Sequence, residues 1–244
     1  MIDISGHLRN TRRDLGYRDI TKPVVVNCCG CQRFMTRDFS RIRSAGRLDY
    51  QLIYIQEGKG LFTISGEIRE VKAGEMILYR PGEPQIYTYR HQDRPMALWI
   101  HFTGSQVEKW LDKFQITSGY VGKNDQIQSI FEEMILELTL KKHNYEEMVL
   151  SDFYRLLALM QRVREESKNP DENQAPIDSL ILEINQRYAE PWTVPSMAEF
   201  CMMSEGYFAH TFKDYTHLAP MQYLTELRIS KAMDFLEHTD MTAF

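Results

Sequence analysis

Short runs of apolar residues separated by turn residues dominate the chain between about Val24 and Phe102. Such runs, four to six residues long and rich in β-branched and aromatic side chains, predict strands when glycine, proline or charged residues bound them. Strands at this regular spacing are typical of an all-β sandwich or barrel. The predicted strands span residues 50–55, 60–64, 76–79, 86–89 and 97–102.

The apolar period changes after Gly104, where apolar residues recur at steps of three and four, as on one face of a helix. Two such helices, joined by the polar segment 141–144, predict an antiparallel helical hairpin. Their apolar faces have two explanations, which are that they cover the barrel or that they form a dimer interface. The apolar positions are Ile127, Ile130, Phe131, Met134 and Leu138 in the first helix, and Val149, Phe153, Leu156, Leu157, Met160 and Val163 in the second.

The segment 167–176 contains two prolines and no large apolar residue, so it contributes little to a core and predicts a domain boundary. Helical spacing resumes at Ile177. Further on, Thr193 stands two residues before Pro195, which predicts a capped helix start, and Ser204 predicts a second start. Two short helices with only Met202 and Met203 between them indicate a helix-turn-helix.

A longer pattern surrounds this helix pair, in residues 192–198, 203–213 and 220–232. It closely resembles the signature of AraC-type transcription regulators, and residues 49–54, 80–84 and 99–104 resemble the sensor domain that precedes it in that family. The resemblance covers nearly the whole chain. The residues that carry it in the C-terminal part are Trp192, Pro195, Ala198, Tyr207, Phe208, Phe212, Lys213, Pro220, Tyr223, Leu224, Arg228, Ile229 and Ala232.

The resemblance implies an α+β chain that begins with an all-β, cupin-like ligand-sensing barrel (1–123), followed by the helical hairpin (124–166) and the linker (167–176). An all-α DNA-binding domain (177–244) then comprises one helix-turn-helix, a bridging helix from Pro220 to about residue 237, and the start of a second unit at 240–244. The second helix-turn-helix is therefore expected to be incomplete in this sequence. His217 stands where the family usually has glycine at a helix end, which predicts a left-handed residue there.

In the first recognition helix, the resemblance places Gly206, Ala209 and His210 at base-facing positions. Only His210 can donate to or accept from a base edge, and its alternative is an ordinary exposed histidine. Lys213 and Ser204 are expected to contact phosphates, which position a helix without reading sequence.

Charge weakens this expectation of DNA binding. Residues 177–244 contain four Lys or Arg residues against ten Asp or Glu residues, a formal net charge of −6. Because phosphate contacts supply much of the affinity for DNA, this chain is expected to bind DNA weakly.

For the barrel, projection onto the sugar-binding member of the family matches Arg43, Tyr87 and Trp99 to positions that touch ligand. An aromatic face that stacks on a pyranose, with an arginine that binds its hydroxyls, is consistent with a carbohydrate pocket. The alternative is that Tyr87 and Trp99 are core residues. Ala97 departs from the sugar-binding relative, so the particular sugar does not carry over.

Metal and catalytic chemistry are not expected. Metal-dependent cupins carry a His-x-His pair, whereas this chain has Gln85 where sensor relatives often have histidine. Cys28 and Cys31 are spaced like metal ligands, but no second Cys/His pair completes a site, and buried thiols on a strand are ordinary. We therefore expect no cofactor, no bound metal and no catalytic residue.

The composition, with 43% hydrophobic and 26% charged residues, is that of a globular protein. No apolar run approaches the roughly 18 residues of a membrane helix, and the polar start lacks a signal peptide, so a cytoplasmic protein is expected. We predict a homodimeric, ligand-responsive transcription regulator that senses a carbohydrate or related metabolite. The alternatives are a protein–protein or dimerisation module without independent DNA binding and, more distantly, a carbohydrate-modifying enzyme.

Overall fold

A computed structural model describes residues 2–10, 13–168 and 174–238. The chain divides into two compact units, Met1–Asn169 and Pro170–Phe244, and the division falls within the segment 167–176. The predicted α+β class is confirmed, with β-structure in the first unit and helices in the second. The predicted start of a second helix-turn-helix at 240–244 lies outside the described residues.

The first unit consists of two sheets and three helices. One sheet has the strand order β1-β2-β9-β4-β7-β10 and the other has the order β3-β8-β5-β6, with antiparallel pairing throughout the described ladders. The strands are β1 (Ile2–His7), β2 (Val25–Arg33), β3 (Phe39–Arg43), β4 (Tyr50–Glu57), β5 (Lys59–Ile64), β6 (Glu67–Lys72), β7 (Glu75–Tyr79), β8 (Gln85–Tyr89), β9 (Met96–Thr103) and β10 (Gly119–Tyr120). The helices are α1 (Val107–Lys113), α2 (Asp125–Leu140) and α3 (Tyr145–Lys168).

Strand β4 is buried on both faces, which explains its nearly continuous apolar run. Leu52 and Tyr54 join the core beneath the helices, whereas Ile53 and Ile55 join the core inside the barrel. Successive strand residues point to opposite faces, so this single run supplies both cores.

Helices α2 and α3 form the predicted hairpin and cover the outer face of the six-stranded sheet. All eleven predicted apolar positions of the hairpin are buried in the core that they share with that sheet. The Phe153 ring lies 4.8 Å from that of Phe102 in β9 and 6.3 Å from that of Trp110. Phe153 and Met160 are each only 1% exposed, which favours the first of the two explanations, that these faces cover the barrel, and pairing of two copies through the hairpin stays a prediction. The sheet covers the apolar face of the hairpin.

The second unit consists of α4 (Gln174–Gln186), α5 (Val194–Phe200), α6 (Glu205–Thr216) and α7 (Pro220–His238). Thr193 caps α5 as predicted, in a reciprocal capping box with Ser196. His217 ends α6 with φ of 62°, which confirms the left-handed residue expected there. The residues buried between these helices are Ile177, Leu180, Ile184, Met197, Ala198, Cys201, Phe208, Phe212 and Leu224.

Within the described parts of the chain, no helix has both the length and the apolar character that crossing a membrane requires.

The packing of Phe153 predicts a large loss of stability on truncation. Phe153→Ala should lower the free energy of unfolding of the first unit by about 3–5 kcal/mol, because it leaves a cavity between the hairpin and the sheet. Met35→Ala is the control, because the Met35 side chain is 52% exposed between β2 and β3, and it should change that free energy by less than about 0.5 kcal/mol. Urea unfolding measures both. Equal effects of the two substitutions would contradict the packing described here.

Candidate functional site

A cavity of about 380 Å³ lies inside the barrel. Side chains from β1, β2, β3, β4, β8 and β9 line it, together with residues between Arg9 and Tyr17 of the N-terminal segment. This volume is in the range of small-molecule sites. The three residues predicted to bind ligand, Arg43, Tyr87 and Trp99, all line this one cavity.

Trp99 forms a flat aromatic part of the wall. Its indole lies against the backbone of Gly30, the residue paired with it on β2, where a Cβ atom would stand 2.5 Å from the ring. Any larger residue at position 30 would force the indole to move. The Nε1 atom of Trp99 is buried and has no hydrogen-bond acceptor in the protein. The wall therefore includes an indole whose donor is not used within the protein.

Tyr87 is both a core residue and part of the cavity wall, and its contact with a ligand stays a prediction. Its side chain is buried among core residues, and its ring stacks on that of Phe62 at 5.3 Å, yet it also contributes to the cavity wall. Arg43 is more polar in its contacts, since its Nη1 donates to Gln85 Oε1 at 3.0 Å and its Nη2 to Asp14 Oδ1 at 3.1 Å.

The cavity wall also contains a buried polar network that was not predicted from the sequence. Arg47 donates from Nε to Asp49 Oδ1 at 2.7 Å and from Nη2 to Oδ2 at 3.2 Å. Asn27 Nδ2 donates to Oδ2 of the same carboxylate at 2.9 Å, and His101 Nδ1 lies 3.7 Å from Oδ1. Polar residues inside apolar strands were the available signal, because Gln51 and His101 interrupt β4 and β9 at directly paired positions.

The surroundings of His101 and Asp49 in this network determine whether each side chain is charged. Burial lowers the pKa of His101 to about 4, which leaves the imidazole neutral near pH 7. Burial raises the pKa of Asp49, but the nearby imidazole of His101 and the hydrogen bonds and charge of Arg47 outweigh that effect and hold the pKa of this carboxyl well below its ordinary value. Asp49 is therefore a fixed anion that Arg47 neutralises.

Asp49 also fixes the N-terminal segment against the barrel. The backbone N–H of Tyr17 donates to Asp49 Oδ2 at 3.3 Å, and Arg47 Nη1 donates to the carbonyl oxygen of Asp14 at 2.6 Å. Gly16, with φ of 76°, passes so close to the carboxylate that a Cβ would lie 2.4 Å from its oxygens. Both members of the ion pair, together with the bond from the N–H of Leu48 to the carbonyl oxygen of Leu15, thus hold the stretch that brings Asp14 and Tyr17 to the cavity wall.

Several polar atoms of the wall are buried without a partner in the protein. Among the described residues, nine buried side-chain nitrogen or oxygen atoms lack a hydrogen bond, and six of them belong to residues that line the cavity. They include both donors and acceptors, so a ligand that carries several hydroxyl groups is able to bond to them. The six are Asn27 Oδ1, Arg41 Nε, Arg43 Nε, Gln51 Oε1, Trp99 Nε1 and His101 Nδ1.

The cysteines do not form a metal site with each other. Cys28 lines the cavity, whereas Cys31 packs against the core on the other face of β2, as residues three apart on a strand must. Gln85 is fully buried and accepts from Arg43. In the stretches that the structure describes, no group of three or more His, Cys, Asp or Glu side chains is placed to hold a metal ion.

The predicted DNA-contacting residues lie along α6. Ser204 is the N-cap, although its side chain makes no capping hydrogen bond, and Gly206, His210 and Lys213 are exposed, while Ala209 is half-buried. The His210 Nδ1 atom lies 2.9 Å from Oδ2 of Asp214. The side chain that is predicted to read a base therefore lies beside a carboxylate, and a DNA phosphate would repel that carboxylate.

Other cations of this unit are engaged internally. Arg187 forms ion pairs at 2.7 Å with both Glu183 and Glu190, and Arg228 donates to the carbonyl oxygens of Tyr188 and Glu190. The contacts of Arg187 are local to the end of α4, whereas those of Arg228 join α7 to the segment after α4. Both sets reduce what the unit offers to phosphates.

Comparison with known proteins shows the family of this chain and several similar proteins. The AraC-like ligand binding domain family matches residues 26–173, which is more than half of the chain. The Msm operon regulatory protein of Streptococcus mutans is 22% identical over 206 residues, 80% of this chain and 73% of that protein. The lactose operon transcription activator of Staphylococcus xylosus is 23% identical over 197 residues, 76% of this chain and 69% of that protein. The transcriptional activator RhaR of Mannheimia succiniciproducens is 24% identical over 207 residues, 78% of this chain and 71% of that protein.

Two solved structures are also similar. The AraC-like transcriptional activator CuxR matches 84% of this chain and 76% of its own, at 13% identity and a TM-score of 0.36. The EutQ protein of Clostridium difficile matches 32% of this chain and 56% of its own, at 15% identity and a TM-score of 0.25.

The lowered pKa of His101 predicts a stability that depends on pH. Because the folded pKa of about 4 lies below the ordinary value of 6.5, the unfolded chain binds more protons between these pH values. Stability should be full above pH 6.5 and decline by up to about 3 kcal/mol as the pH falls to 4. Chemical unfolding at a series of pH values measures the decline.

His101→Gln should flatten the pH profile between 6.5 and 4, while the decline below pH 4 that arises from Asp49 should persist. His143→Gln is the control, because His143 is exposed between α2 and α3, and it should keep the wild-type profile. An unchanged slope in His101→Gln would show that another group titrates in this window.

Proposed function

Because the chain belongs to the family of the AraC-like ligand binding domain, we propose that it is a ligand-responsive transcription regulator whose barrel binds a carbohydrate or related polar metabolite. The observation that carries the proposal is the composition of the cavity wall. A flat indole lies beside unpartnered donors and acceptors, and these are the two features by which proteins bind sugar rings. A relative named for the lactose operon supports a carbohydrate effector.

We propose binding without chemical turnover. Glycoside hydrolysis ordinarily needs two carboxyl groups that flank the bond, one of them with a raised pKa. The pKa of Asp49 is lowered instead, and its oxygens are committed to Arg47, Asn27 and the backbone of Tyr17. This carboxylate supports the wall and is not available as an acid or base.

A thermal-shift screen of sugars and sugar acids tests ligand binding. A ligand at 100 times its dissociation constant should stabilise the first unit by about 2.7 kcal/mol, which raises its melting temperature. Arg43→Ala should abolish the rise and lower the unliganded melting temperature only modestly, because Arg43 also donates to Gln85. Arg80→Ala, which removes an exposed arginine outside the cavity wall, should keep the rise.

Two results would count against the ligand proposal. If no sugar or sugar acid raises the melting temperature of the wild-type protein, the result counts against the proposed sensor function. If Arg43→Ala fails to fold, Arg43 is a structural partner of Gln85 and Asp14, and its assignment to the pocket fails.

We propose that α6 is the recognition helix and that residues 1–244 bind DNA with ordinary non-specific affinity, roughly 10⁻⁴ to 10⁻⁶ M at physiological salt. The acidic charge of residues 177–244 and the internal engagement of Arg187 and Arg228 support weak binding. Ligand-dependent regulation then requires that the effector bind differently to two states of the chain.

Fluorescence anisotropy at several salt concentrations tests the DNA proposal. Lys213→Ala should weaken binding to all sequences alike and reduce the slope of log affinity against log salt by about 1, as for the loss of one phosphate contact. Lys109→Ala removes the same charge from an exposed position on α1 and should leave the slope unchanged. Nanomolar, sequence-selective binding by this chain would contradict the proposal.

The second candidate function is a protein–protein or dimerisation module. The exposed Leu136 and Leu140 on α2 and Met148 on α3 support it, because they remain outside the core that the hairpin shares with the sheet. A homodimer that uses these residues is our proposal for the assembly, in place of the buried Phe153 and Met160.

A further inference from the structure

Two arginines on β3 project into the cavity from alternate positions. Arg41 and Arg43 lie on the inner face of the strand, whereas Ile42 between them points outward and is 70% exposed. The Arg43 side chain is nine-tenths buried, and the Nε atoms of both arginines are buried without an acceptor in the protein. Two adjacent guanidinium groups with free donors form a site suited to a carboxylate or another oxyanion.

The carboxylate of Asp14 occupies the space between these groups. Its Oδ1 lies 3.1 Å from Arg43 Nη2 and 3.9 Å from Arg41 Nη1. The Asp14 side chain is nevertheless 70% exposed. An exposed carboxylate loses little when it returns to water, so an anion from outside is able to replace it.

The remaining charges of the wall leave cations in excess. Five arginines and three aspartates line the cavity. Arg47 is neutralised by Asp49, Arg9 pairs with Asp19 at 3.5 Å, and Asp3 accepts from Gln32. Gln32 is neutral, so Asp3 keeps its charge. The remaining three arginines of the wall, at positions 13, 41 and 43, therefore outnumber the remaining carboxylates, Asp3 and Asp14, by one. A neutral ligand that displaced Asp14 would enlarge this excess, whereas an anionic ligand that displaces Asp14 leaves it unchanged.

We propose that Arg41 and Arg43 form a carboxylate subsite, that Asp14 fills this subsite in the unliganded protein, and that the effector is a sugar acid whose carboxylate replaces that of Asp14. This inference rests on the proposed carbohydrate function of the same cavity. One carboxylate therefore lies against the two guanidinium groups both in the unliganded protein and in the complex. The hydroxyl groups of the ligand then bond to the wall, where Gln51 and Trp99 have unpartnered atoms.

Calorimetric titration of the full chain with a matched panel tests the proposal. The panel consists of neutral aldoses, such as D-galactose and D-glucose, and their uronic and aldonic acids. In the wild-type protein the acids should bind at least about tenfold more tightly than the matching neutral sugars, because only the acids form charge-assisted bonds to both arginines. Asp14→Asn removes the competing charge, so it should raise affinity for the acids a further ~10-fold and leave neutral sugars within about twofold.

Two further variants separate the subsite from general electrostatics. Asp3→Asn removes the same charge from the same cavity wall and should change acid affinity by less than about twofold. Arg41→Gln should remove the preference for acids over neutral sugars while neutral binding is retained.

Three results would overturn the inference. Equal affinity of the wild-type protein for both series, or binding of neutral sugars alone, rejects the carboxylate subsite but leaves the carbohydrate function standing. Weaker binding of acids to Asp14→Asn shows that Asp14 contacts the ligand and does not compete with it. Binding of neither series rejects the proposed function together with this inference.

Discussion

The candidate site depends on the buried ion pair between Arg47 and Asp49. A carboxylate with no exposed surface is stable only if its lone pairs are satisfied, and here Arg47, Asn27 and the backbone of Tyr17 supply the hydrogen bonds. Loss of either charge would leave the other buried and unpaired, at a cost of about 3–5 kcal/mol. Asp49 also accepts from the N–H of Tyr17, and Arg47 donates to the carbonyl oxygen of Asp14. The ion pair therefore joins the strands to the part of the cavity wall that comes from outside the sheets.

The local features of the fold could be predicted from the sequence, whereas the partners of each surface could not. The capping box at Thr193 and the left-handed His217 depend on a few neighbouring residues, so the sequence near them is sufficient. The periodicity that marks Phe153 and Met160 shows that one face of α3 is apolar, but it does not show what covers that face. The sheet covers it, because β4 and β9 bring their own apolar residues to the same surface.

The candidate site was predictable in part for a similar reason. Resemblance to a family singled out Arg43, Tyr87 and Trp99, which do line one cavity. The ion-pair network was missed because its members are spread along the chain, with His101 some fifty residues beyond Asp49, and only strand pairing brings them together. Taken alone, each polar residue only interrupts the apolar pattern of its strand and does not indicate its partner. The same reason applies in the second unit. Arg228 donates to carbonyl oxygens that lie far earlier in the chain, and the spacing of residues around Arg228 does not predict these bonds.

Burial decides the different roles of the two carboxylates that Arg47 helps to place. Asp49 is inaccessible to water, so its release from Arg47 would strand a charge, and it acts as part of the scaffold. Asp14 is held at its backbone carbonyl by Arg47, while its side chain reaches Arg43 from the solvent side. Its ion pair is exposed and correspondingly weak. The protein thus keeps a rigid anion beneath the cavity and an exchangeable one at its edge, and only the second is able to respond to a ligand that carries the same charge.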